Sequence, residues 1–173
     1  MIYIETGSTD VCYDFALEYY FTLEKRLSDT VFLFWRTTPT LMVGKYQNVL
    51  EEVDKPYADA HGIRIVRRMS GGGTVYHDLG NVNYTIIKDA PPGGEVCYGD
   101  FLDSVVAALN RLQIPARRGR TCDITLAGRK ISGSAQRMTK GRLLHHGTLL
   151  FDANPGMVAG ALNVDPEKFR SKS

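Results

Sequence analysis

Lys130 is the side chain with the clearest chemical potential, because it follows a Gly-Arg turn and precedes a predicted strand that contains Gly133. In a pocket, its ammonium group could bridge a carboxylate and a nucleotide phosphate, neutralise both anions and orient one oxygen for attack on phosphorus. A turn lysine is more often solvated, so its position alone leaves both interpretations open. Asp123, upstream on the same predicted hairpin, could hold Mg²⁺ with phosphates or pair with Arg129 or Lys130.

A second stretch, RRMSGGGTVYHDLGN at residues 67–81, joins two arginines to three consecutive glycines. Glycines accept positive φ and let a ligand approach closely, and successive N–H groups of such a turn can form an anion-binding nest. Guanidinium groups beside those donors suit phosphate or carboxylate. The stretch has neither the GxxxxGK[ST] pattern of a Walker loop nor the GxGxxG dinucleotide pattern. Taken alone, it fits a slack hairpin with solvated arginines equally well.

Four further side chains have plain structural interpretations. His145 and His146 are adjacent, and on a strand they point to opposite faces, so one can face a pocket but the two do not form a zinc site. Trp35 lies in an apolar stretch, where a core position is the commoner role for tryptophan. Cys122 is expected to be a structural thiol.

The helices that must position these groups follow from periodicity. Residues 10–27 are predicted as a helix with Asp10 as its N-cap and with one apolar face, formed by Phe15, Tyr19 and Leu23. The stretch GDFLDSVVAALNRLQI predicts a second helix that ends before Pro115, with a face formed by Phe101, Val105, Leu109 and Leu112. A last short helix is expected to begin near Pro155.

The rest of the chain is predicted to be mainly strands. VFLFWRTTPTLMVGKYQN contains two of them with a turn around Pro39, and GIRIVRRMS and NVNYTIIK are two more, with Ile63 and Ile65 pointing inward. CDITLAG, KISGSAQR and LLHHGTLLF follow, with turns at Gly128 and TKG. Few helices and hairpin-connected strands favour an α+β domain with a mixed, largely antiparallel sheet flanked by helices. The regular alternation of a doubly wound parallel sheet is missing.

Composition sets the broad class. The chain has 173 residues, 43% hydrophobic and 23% charged, which suits one soluble domain with a sizeable core. A formal charge of +2 with scattered basic residues calls for neither nucleic acid nor a membrane surface. No apolar run reaches membrane-spanning length, and the N-terminus lacks the pattern of a signal peptide. Three cysteines form no disulfide framework, so a cytoplasmic location is expected.

Together, these blocks resemble the lipoate–protein ligases. The matching segments are RRMSGGGTVYHDLGNVNYT, GRKISGSAQR and HHGTLLF, with weaker matches at FLFWR, VGKYQN and FALE, so the resemblance covers essentially the whole chain. It implies the catalytic-domain fold shared with biotin ligases and lipoyl/octanoyl transferases. It also implies that lipoic acid and MgATP give lipoyl-AMP and pyrophosphate. The lipoyl group then passes to a lysine of an acceptor, either a lipoyl domain of a 2-oxoacid dehydrogenase E2 subunit or the glycine-cleavage H-protein.

The resemblance also implies roles for individual residues. Lys130 matches the essential lysine of the family and should contact both the lipoate carbonyl and the phosphate. The implied ATP and adenylate site consists of Arg68, Gly73, Thr74, Val75, Tyr76, Lys130 and Asp123, with Asp123 as a candidate for Mg²⁺. The implied lipoate site consists of Gly72, His77, Asn83, Lys130, Gly133, His146 and Trp35, with Trp35 as a wall of an apolar tunnel. Since an acyl-adenylate hydrolyses readily, the site should exclude water.

Close relatives of the same fold must be separated from this interpretation. Octanoyltransferases use a cysteine thioester and no ATP, but their cysteine segment lies farther upstream of the GRK turn, where this chain has Ala116 and its neighbours. The GRGR loop of biotin ligases is missing. A non-catalytic fragment that binds lipoate or lipoyl-AMP remains an alternative, as does a transferase acting through Cys122.

Two departures from the family pattern qualify the assignment. GRTCDI stands where ligases often show an Asn-Asp pair, so Thr121 and Cys122 replace the expected amide and only Asp123 remains. The sequence ends at EKFRSKS, where family members usually continue through the catalytic domain and often an accessory C-terminal domain. We therefore expect residues 1–173 to be an incomplete catalytic domain that alone adenylates poorly or not at all. A separate C-terminal accessory domain is a candidate partner.

Overall fold

Two β-sheets with flanking helices make up the part of the chain that the computed structural model describes, residues 1–93 and 97–163. The strands are β1 (Ile2–Glu5), β2 (Val31–Trp35), β3 (Thr40–Val43), β4 (Arg64–Arg67), β5 (Val75–His77), β6 (Asn81–Asp89), β7 (Arg117–Arg118), β8 (Asp123–Leu126), β9 (Arg129–Thr139) and β10 (Arg142–Leu150). The helices are α1 (Val11–Tyr19), α2 (Val49–Glu52), α3 (Lys55–Ala60), α4 (Gly99–Arg111) and α5 (Pro155–Ala161). Among these helices, none is long and apolar enough to span a bilayer.

The larger sheet has seven strands in the order β1-β2-β6-β10-β9-β8-β7, and all its pairs are antiparallel except β1 with β2. The smaller sheet has the order β4-β3-β5, with β3 parallel to β4 and antiparallel to β5. The expected α+β class with a largely antiparallel sheet is confirmed. The two strands around Pro39 exist, but β2 and β3 belong to different sheets, so Pro39 marks the passage from one sheet to the other.

The core lies on both sides of the smaller sheet, because β3 is buried along its whole length. Met42 points into one cluster with Trp35 and other residues of β2, β6, β10 and α1. Leu41 and Val43 point the other way, into a cluster with α3 and α5. Alternation of side chains along one strand thus fixes the smaller sheet between the larger sheet and these helices.

Helix α1 begins at its predicted cap, since Asp10 accepts a hydrogen bond from the Cys12 N–H (3.0 Å). The helix changes to a π-helical turn at Tyr20–Glu24 and ends before the predicted Leu27. The predicted apolar face is wrong at Tyr19, which is 48% exposed. The buried face is formed instead by Val11, Asp14, Glu18 and Thr22. Two carboxyl groups on the buried side of a helix cannot be recognised from an apolar periodicity.

One of these carboxyl groups should make stability depend on pH. Burial raises the pKa of Asp14 to about 6, and the negative charges of Glu18 and Asp10 add to the rise, while the Thr6 side chain opposes it. The folded state therefore binds this proton more tightly than the unfolded state. The contribution favours folding below the unfolded pKa of about 4 and is lost as the pH rises to about 6.

Asp14→Asn should accordingly raise the free energy of unfolding at pH 7.5 by about 2–3 kcal/mol and should remove the decline between pH 4 and pH 6. Urea denaturation across this pH range measures both effects. Asp152→Asn, at an exposed carboxylate, is the control and should change neither. An unchanged pH profile in Asp14→Asn would contradict the assignment.

Most of the remaining predictions about helices and strands are confirmed, and a few are wrong or incomplete. Helix α4, the short helix from Pro155 and the predicted strands are confirmed. Ile63 is buried just before β4, as expected for an inward residue. Leu112 is 71% exposed and does not belong to the apolar face of α4. The hairpin turn at Gly128 is confirmed, with positive φ at Ala127 and Gly128. Five short elements were not predicted: β1, β5, β7, α2 and α3. The terminal EKFRSKS lies outside the described residues.

Candidate active site

A row of paired residues crosses the larger sheet and forms the floor of the site. Trp35 on β2 pairs with Asn83 on β6, and Asn83 pairs with Thr148 on β10. Thr148 pairs with Gly133 on β9, and Gly133 pairs with Asp123 on β8. Directly paired residues point to the same face, so this row joins an apolar end at Trp35 to a charged end at Asp123. Four strand spacings make it roughly 19 Å long.

Above this row lies a cavity of about 290 Å³. It is bounded by residues of both sheets, of α1 and of the segment between β4 and β5 that we call the glycine segment, residues 70–74. Ten of the residues proposed from the sequence line it: Trp35, Arg68, Gly72, Gly73, Val75, His77, Asn83, Lys130, Gly133 and His146. Seven more line it: Phe15, Met42, Cys122, Ser134, Ala135, Gly147 and Thr148. The glycine segment and Lys130, far apart in sequence, therefore face one space.

The glycine segment crosses over the end of β3, because it runs from β4 on one side of that strand to β5 on the other. Gly44 follows β3 directly, and a Cβ there would overlap the carbonyl oxygen of Gly72. The Lys45 N–H donates to the carbonyl of Ser70 (2.9 Å). The close approach of the Gly72 carbonyl leaves no room for a side chain at position 44. Position 72 favours glycine for another reason, because its φ is +93°.

Arg68 holds this segment from beneath. Its Nη1 donates to the carbonyl of Met42 (2.6 Å), and its Nη2 donates to the carbonyls of Gly71 and Gly73 (2.8 Å each). The side chain is only 7% exposed, and burial lowers the pKa of Arg68 while the charges of Glu18 and Glu52 oppose that change. Most of its donors are thus committed to the protein backbone. The guanidinium shapes the nest more than it contacts a ligand directly.

The preceding arginine performs a similar task for the neighbouring loop. Arg67 Nη1 lies within hydrogen-bond distance of the carbonyls of Gly44, Lys45 and Gln47 (2.8–3.3 Å). Successive residues of a strand point to opposite sides, so the two arginines reach different loops. The pair of arginines in the sequence is explained by two adjoining loops that each need a cationic donor.

At the charged end, Lys130 Nζ lies 2.7 Å from Asp123 Oδ1 and its side chain is 57% exposed. A Cβ on Gly133 would lie 3.3 Å from Lys130 Nζ and Cε, so this glycine leaves room for the lysine to lie along the sheet. An exposed ion pair is worth at most about 1 kcal/mol and can be exchanged for another anion. Lys130 is therefore held near the cavity yet available to a ligand.

Two polar side chains that line the cavity have no hydrogen-bond partner among the described residues. His77 and Asn83 are 5% and 1% exposed, and neither the two ring nitrogens of His77 nor the two amide atoms of Asn83 have a hydrogen bond among the described residues. Burial lowers the pKa of His77 to about 3, with the charge of Arg68 acting in the same direction, so the ring stays neutral at physiological pH. Buried polar groups without partners are costly, and a polar ligand would satisfy them.

The adjacent histidines point to opposite faces, as predicted. His145 is fully buried on the α4 side and stacks on Phe101 with ring centroids 4.4 Å apart. His146 faces the cavity, but both its nitrogens are engaged: Nδ1 lies 3.0 Å from Glu18 Oε1, and Nε2 lies 2.6 Å from Ser70 Oγ. His146 therefore presents a ring surface to the cavity rather than a free nitrogen. In the described part of the chain, no group of three or more His, Cys, Asp or Glu side chains is placed to hold a metal ion.

Three proposed residues do not line the cavity. Thr74 anchors the end of the glycine segment, where its N–H donates to Glu52 Oε2 (3.3 Å). Tyr76 points into the core behind β5. Asp123 lies next to the cavity, beside its lining residues Cys122, Lys130 and Gly133. Sequence reasoning also missed Glu18, Ser70 and Thr85, which form a buried network under the cavity; FALE, noted as a weak match, was the only signal for Glu18.

Cys122 does line the cavity, and its environment does not activate it. Burial raises the pKa of this thiol, with the charge of Asp123 acting in the same direction against the smaller effect of Lys130. A nucleophilic cysteine needs a lowered pKa or an adjacent base. The pKa of Cys122 is raised rather than lowered, and the nearby carboxylate, Asp123 at 3.7 Å from Sγ, is already paired with Lys130. A structural thiol remains the prediction.

Comparisons with known proteins agree with this geometry. The model of the family described as "Lipoyl protein ligase A/B catalytic domain" matches residues 10–173. The lipoate-protein ligase LplJ of Bacillus subtilis is 39% identical over 99% of this chain and 52% of its own length. Lipoate–protein ligase 1 of Staphylococcus aureus is 40% identical over 95% of this chain and 50% of its own length. The chain thus spans about half the length of the curated relatives it matches.

Solved structures give the same result. A bi-partite lipoate protein ligase from Thermoplasma acidophilum, studied with its E2 lipoyl domain, has a TM-score of 0.84 at 30% identity over 99% of this chain and 68% of that one. P. falciparum LipL1 in complex with lipoate has a TM-score of 0.83 at 26% identity over 95% and 52%. Lipoate-protein ligase A bound with ATP has a TM-score of 0.78 at 28% identity over 98% and 73%.

Proposed function

The chain belongs to the lipoyl protein ligase A/B catalytic-domain family, and on that premise we propose that it activates lipoate with ATP and transfers the lipoyl group to a lysine of an acceptor protein. The observation that carries the proposal is the row of paired residues across the larger sheet, which is apolar at one end and charged at the other. Trp35 at the apolar end lies with Phe15 and Met42 in the cavity lining, which suits a dithiolane ring and an acyl chain. At the other end, Lys130 is paired with Asp123 and supplies a positive charge. This polarity matches lipoate, which is apolar at one end and anionic at the other.

In the first step, a lipoate carboxylate oxygen attacks the α-phosphorus of ATP, and pyrophosphate leaves with the bonding electron pair. Lys130 is proposed to hold the carboxylate and the phosphate together and to offset their charges. The backbone N–H groups of the glycine segment are proposed to receive the phosphate of the adenylate. Asp123 is proposed to hold Mg²⁺ jointly with ATP phosphates, where the ion would offset further negative charge.

The unpartnered atoms of His77 and Asn83 are proposed to bind polar groups of the lipoyl-adenylate. In the second step, the acceptor lysine amine attacks the acyl carbon, AMP leaves, and the amine loses a proton as the amide forms. The bound acyl group also covers the cavity floor, which helps to exclude water from the reactive anhydride. The acceptor is proposed to be a lipoyl domain or an H-protein, supported by the E2 lipoyl domain studied with the Thermoplasma ligase. Residues 1–173 are proposed to be part of a catalytic domain that works with an accessory domain.

Lipoate-dependent exchange of radiolabelled pyrophosphate into ATP tests the proposal with the purified chain. We expect exchange that requires lipoate and Mg²⁺, even if it is slower than in the longer relatives. Lipoate binding measured by calorimetry without any exchange would favour the binding-only alternative. An acyl group trapped as a thioester on Cys122 without ATP would favour the transferase alternative, and a Cys122→Ala variant should keep full exchange if the ligase proposal is right.

A further inference from the structure

A buried carboxylate, Glu18, lies beneath the cavity floor and accepts hydrogen bonds from two directions. It is 1% exposed. The Thr85 hydroxyl donates to Glu18 Oε1 (2.6 Å), and His146 Nδ1 lies 3.0 and 3.3 Å from the two carboxylate oxygens. A buried carboxylate needs such donors, and the proposed reaction gives Glu18 no direct role.

The first chain of donors begins at the apolar end of the site. The indole N–H of Trp35 can only donate, and it donates to Thr85 Oγ1 (3.1 Å). The hydroxyl proton of Thr85 is then free to point at Glu18. The indole fixes the direction of the first hydrogen bond, and the carboxylate, which can only accept, fixes the direction of the second.

The second chain begins at the glycine segment. The guanidinium of Arg68 can only donate, and its Nε donates to Ser70 Oγ (3.1 Å). Ser70 has one hydroxyl proton, and His146 Nε2 lies 2.6 Å from its oxygen. With that proton directed at Nε2, the imidazole carries its own proton on Nδ1 and donates it to Glu18. Each donor and acceptor of the chain is then used once in a consistent direction.

We infer that Glu18 is a positioning residue that fixes His146 as its Nδ1–H tautomer and thereby locks the glycine segment to the wall of the acyl pocket. Both chains, Trp35→Thr85 and Arg68→Ser70→His146, end on its carboxylate. Glutamine has nearly the same shape, but it offers one acceptor oxygen and two N–H donors. A glutamine with its oxygen in place of Oε1 would set its NH₂ group against the Nδ1–H of His146, which lies 3.3 Å from Oε2, and the opposite orientation would set the NH₂ group against Thr85. Either orientation opposes a donor to a donor and weakens one chain.

The spectroscopic test needs no activity. The chain has four histidines, so the ring ¹⁵N resonances of His146 can be assigned by comparison with a His146→Asn variant. In the unsubstituted protein we expect the shifts of a neutral ring with hydrogen on Nδ1 and none on Nε2. An Nε2–H tautomer, averaging between the two, or a ring protonated on both nitrogens would overturn the inference whatever the behaviour of any variant.

The functional test uses Glu18→Gln, with Glu24→Gln at an exposed position of the same helical segment as the control. We expect Glu18→Gln to alter the His146 ¹⁵N pattern, to speed hydrogen exchange of the amides at 70–74 and to slow single-turnover formation of lipoyl-AMP roughly 10²-fold. The control should change none of these. A Glu18→Gln protein that folds with an unaltered His146 pattern and normal exchange would refute the positioning role.

The kinetic arm rests on the proposed adenylation, and the two ideas can fail separately. If the unsubstituted chain forms no lipoyl-AMP but shows the expected tautomer and its loss in Glu18→Gln, the proposed reaction fails and the positioning role stands. If adenylation proceeds equally in both proteins, the positioning role fails and the proposed reaction stands.

Discussion

Replacing Lys130 by alanine should slow lipoate-dependent pyrophosphate exchange by roughly 10²–10³-fold, the loss typical of removing one preorganised donor to developing charge. The physical reason is that the two reacting groups are both anionic and the ammonium of Lys130 is the cation that faces the cavity beside Gly133. Folding should hardly change, because the ion pair with Asp123 is exposed and contributes at most about 1 kcal/mol. Exchange assays and urea denaturation on the same preparations separate the two effects.

Arg129→Ala is the matched control for this experiment, because Arg129 is the adjacent exposed cation at the start of β9. It changes the net charge by the same amount and should keep most of the exchange activity. Exchange that survives Lys130→Ala would contradict the role given to this lysine. An equal loss in both variants would mean that the general positive charge of the hairpin matters rather than the position of one ammonium.

Arg68→Lys should cause the largest loss of stability, about 2–4 kcal/mol, since an ammonium cannot reach all the carbonyls that the guanidinium serves. The carbonyls of Met42, Gly71 and Gly73 would compete for fewer donors in a buried place. Hydrogen exchange at the glycine segment should become faster, and the affinity for a non-hydrolysable lipoyl-AMP analogue should fall because the nest is no longer preorganised. Urea denaturation and calorimetry measure these changes.

Arg64→Lys provides the comparison at the start of β4, the strand that Arg68 directly follows. Arg64 pairs with Asp10 at the surface, with both side chains about half exposed, so its replacement should cost no more than about 1 kcal/mol. If Arg68→Lys is as mild as Arg64→Lys, the backbone contacts of Arg68 contribute little and the segment is ordered by other means.

The sequence predicted the site better than it predicted how the site is built. Short motifs identified Lys130, His77 and Asn83, and each lies at the cavity. The row that joins Trp35 to Asp123 depends on strand order and register, which are long-range properties that no local pattern contains. The separation of β2 from β3 into different sheets was missed for the same reason, since two apolar strands around a proline look alike whether or not they pair.

The errors on α1 have a different physical cause. An apolar periodicity assumes that buried faces are apolar, but this helix buries Asp14 and Glu18. Glu18 is buried because its partners Thr85 and His146 lie on other elements, distant in sequence. Ligand contact by Arg68 stays a prediction, but its bonds to the carbonyls of Met42, Gly71 and Gly73 were not foreseen. Polar networks that span several elements become visible only once those elements are placed.

Because the glycine segment passes over the end of β3, the proposed activity should be lost at the temperature at which the smaller sheet melts. The segment is shaped by the strands on both of its sides and by its contact with Gly44, so the proposed anion nest depends on an intact smaller sheet. Heat inactivation and melting of that sheet are then one event, and activity should return as soon as the sheet reforms. A bound acyl-adenylate, which favours the folded state by mass action, would protect both together.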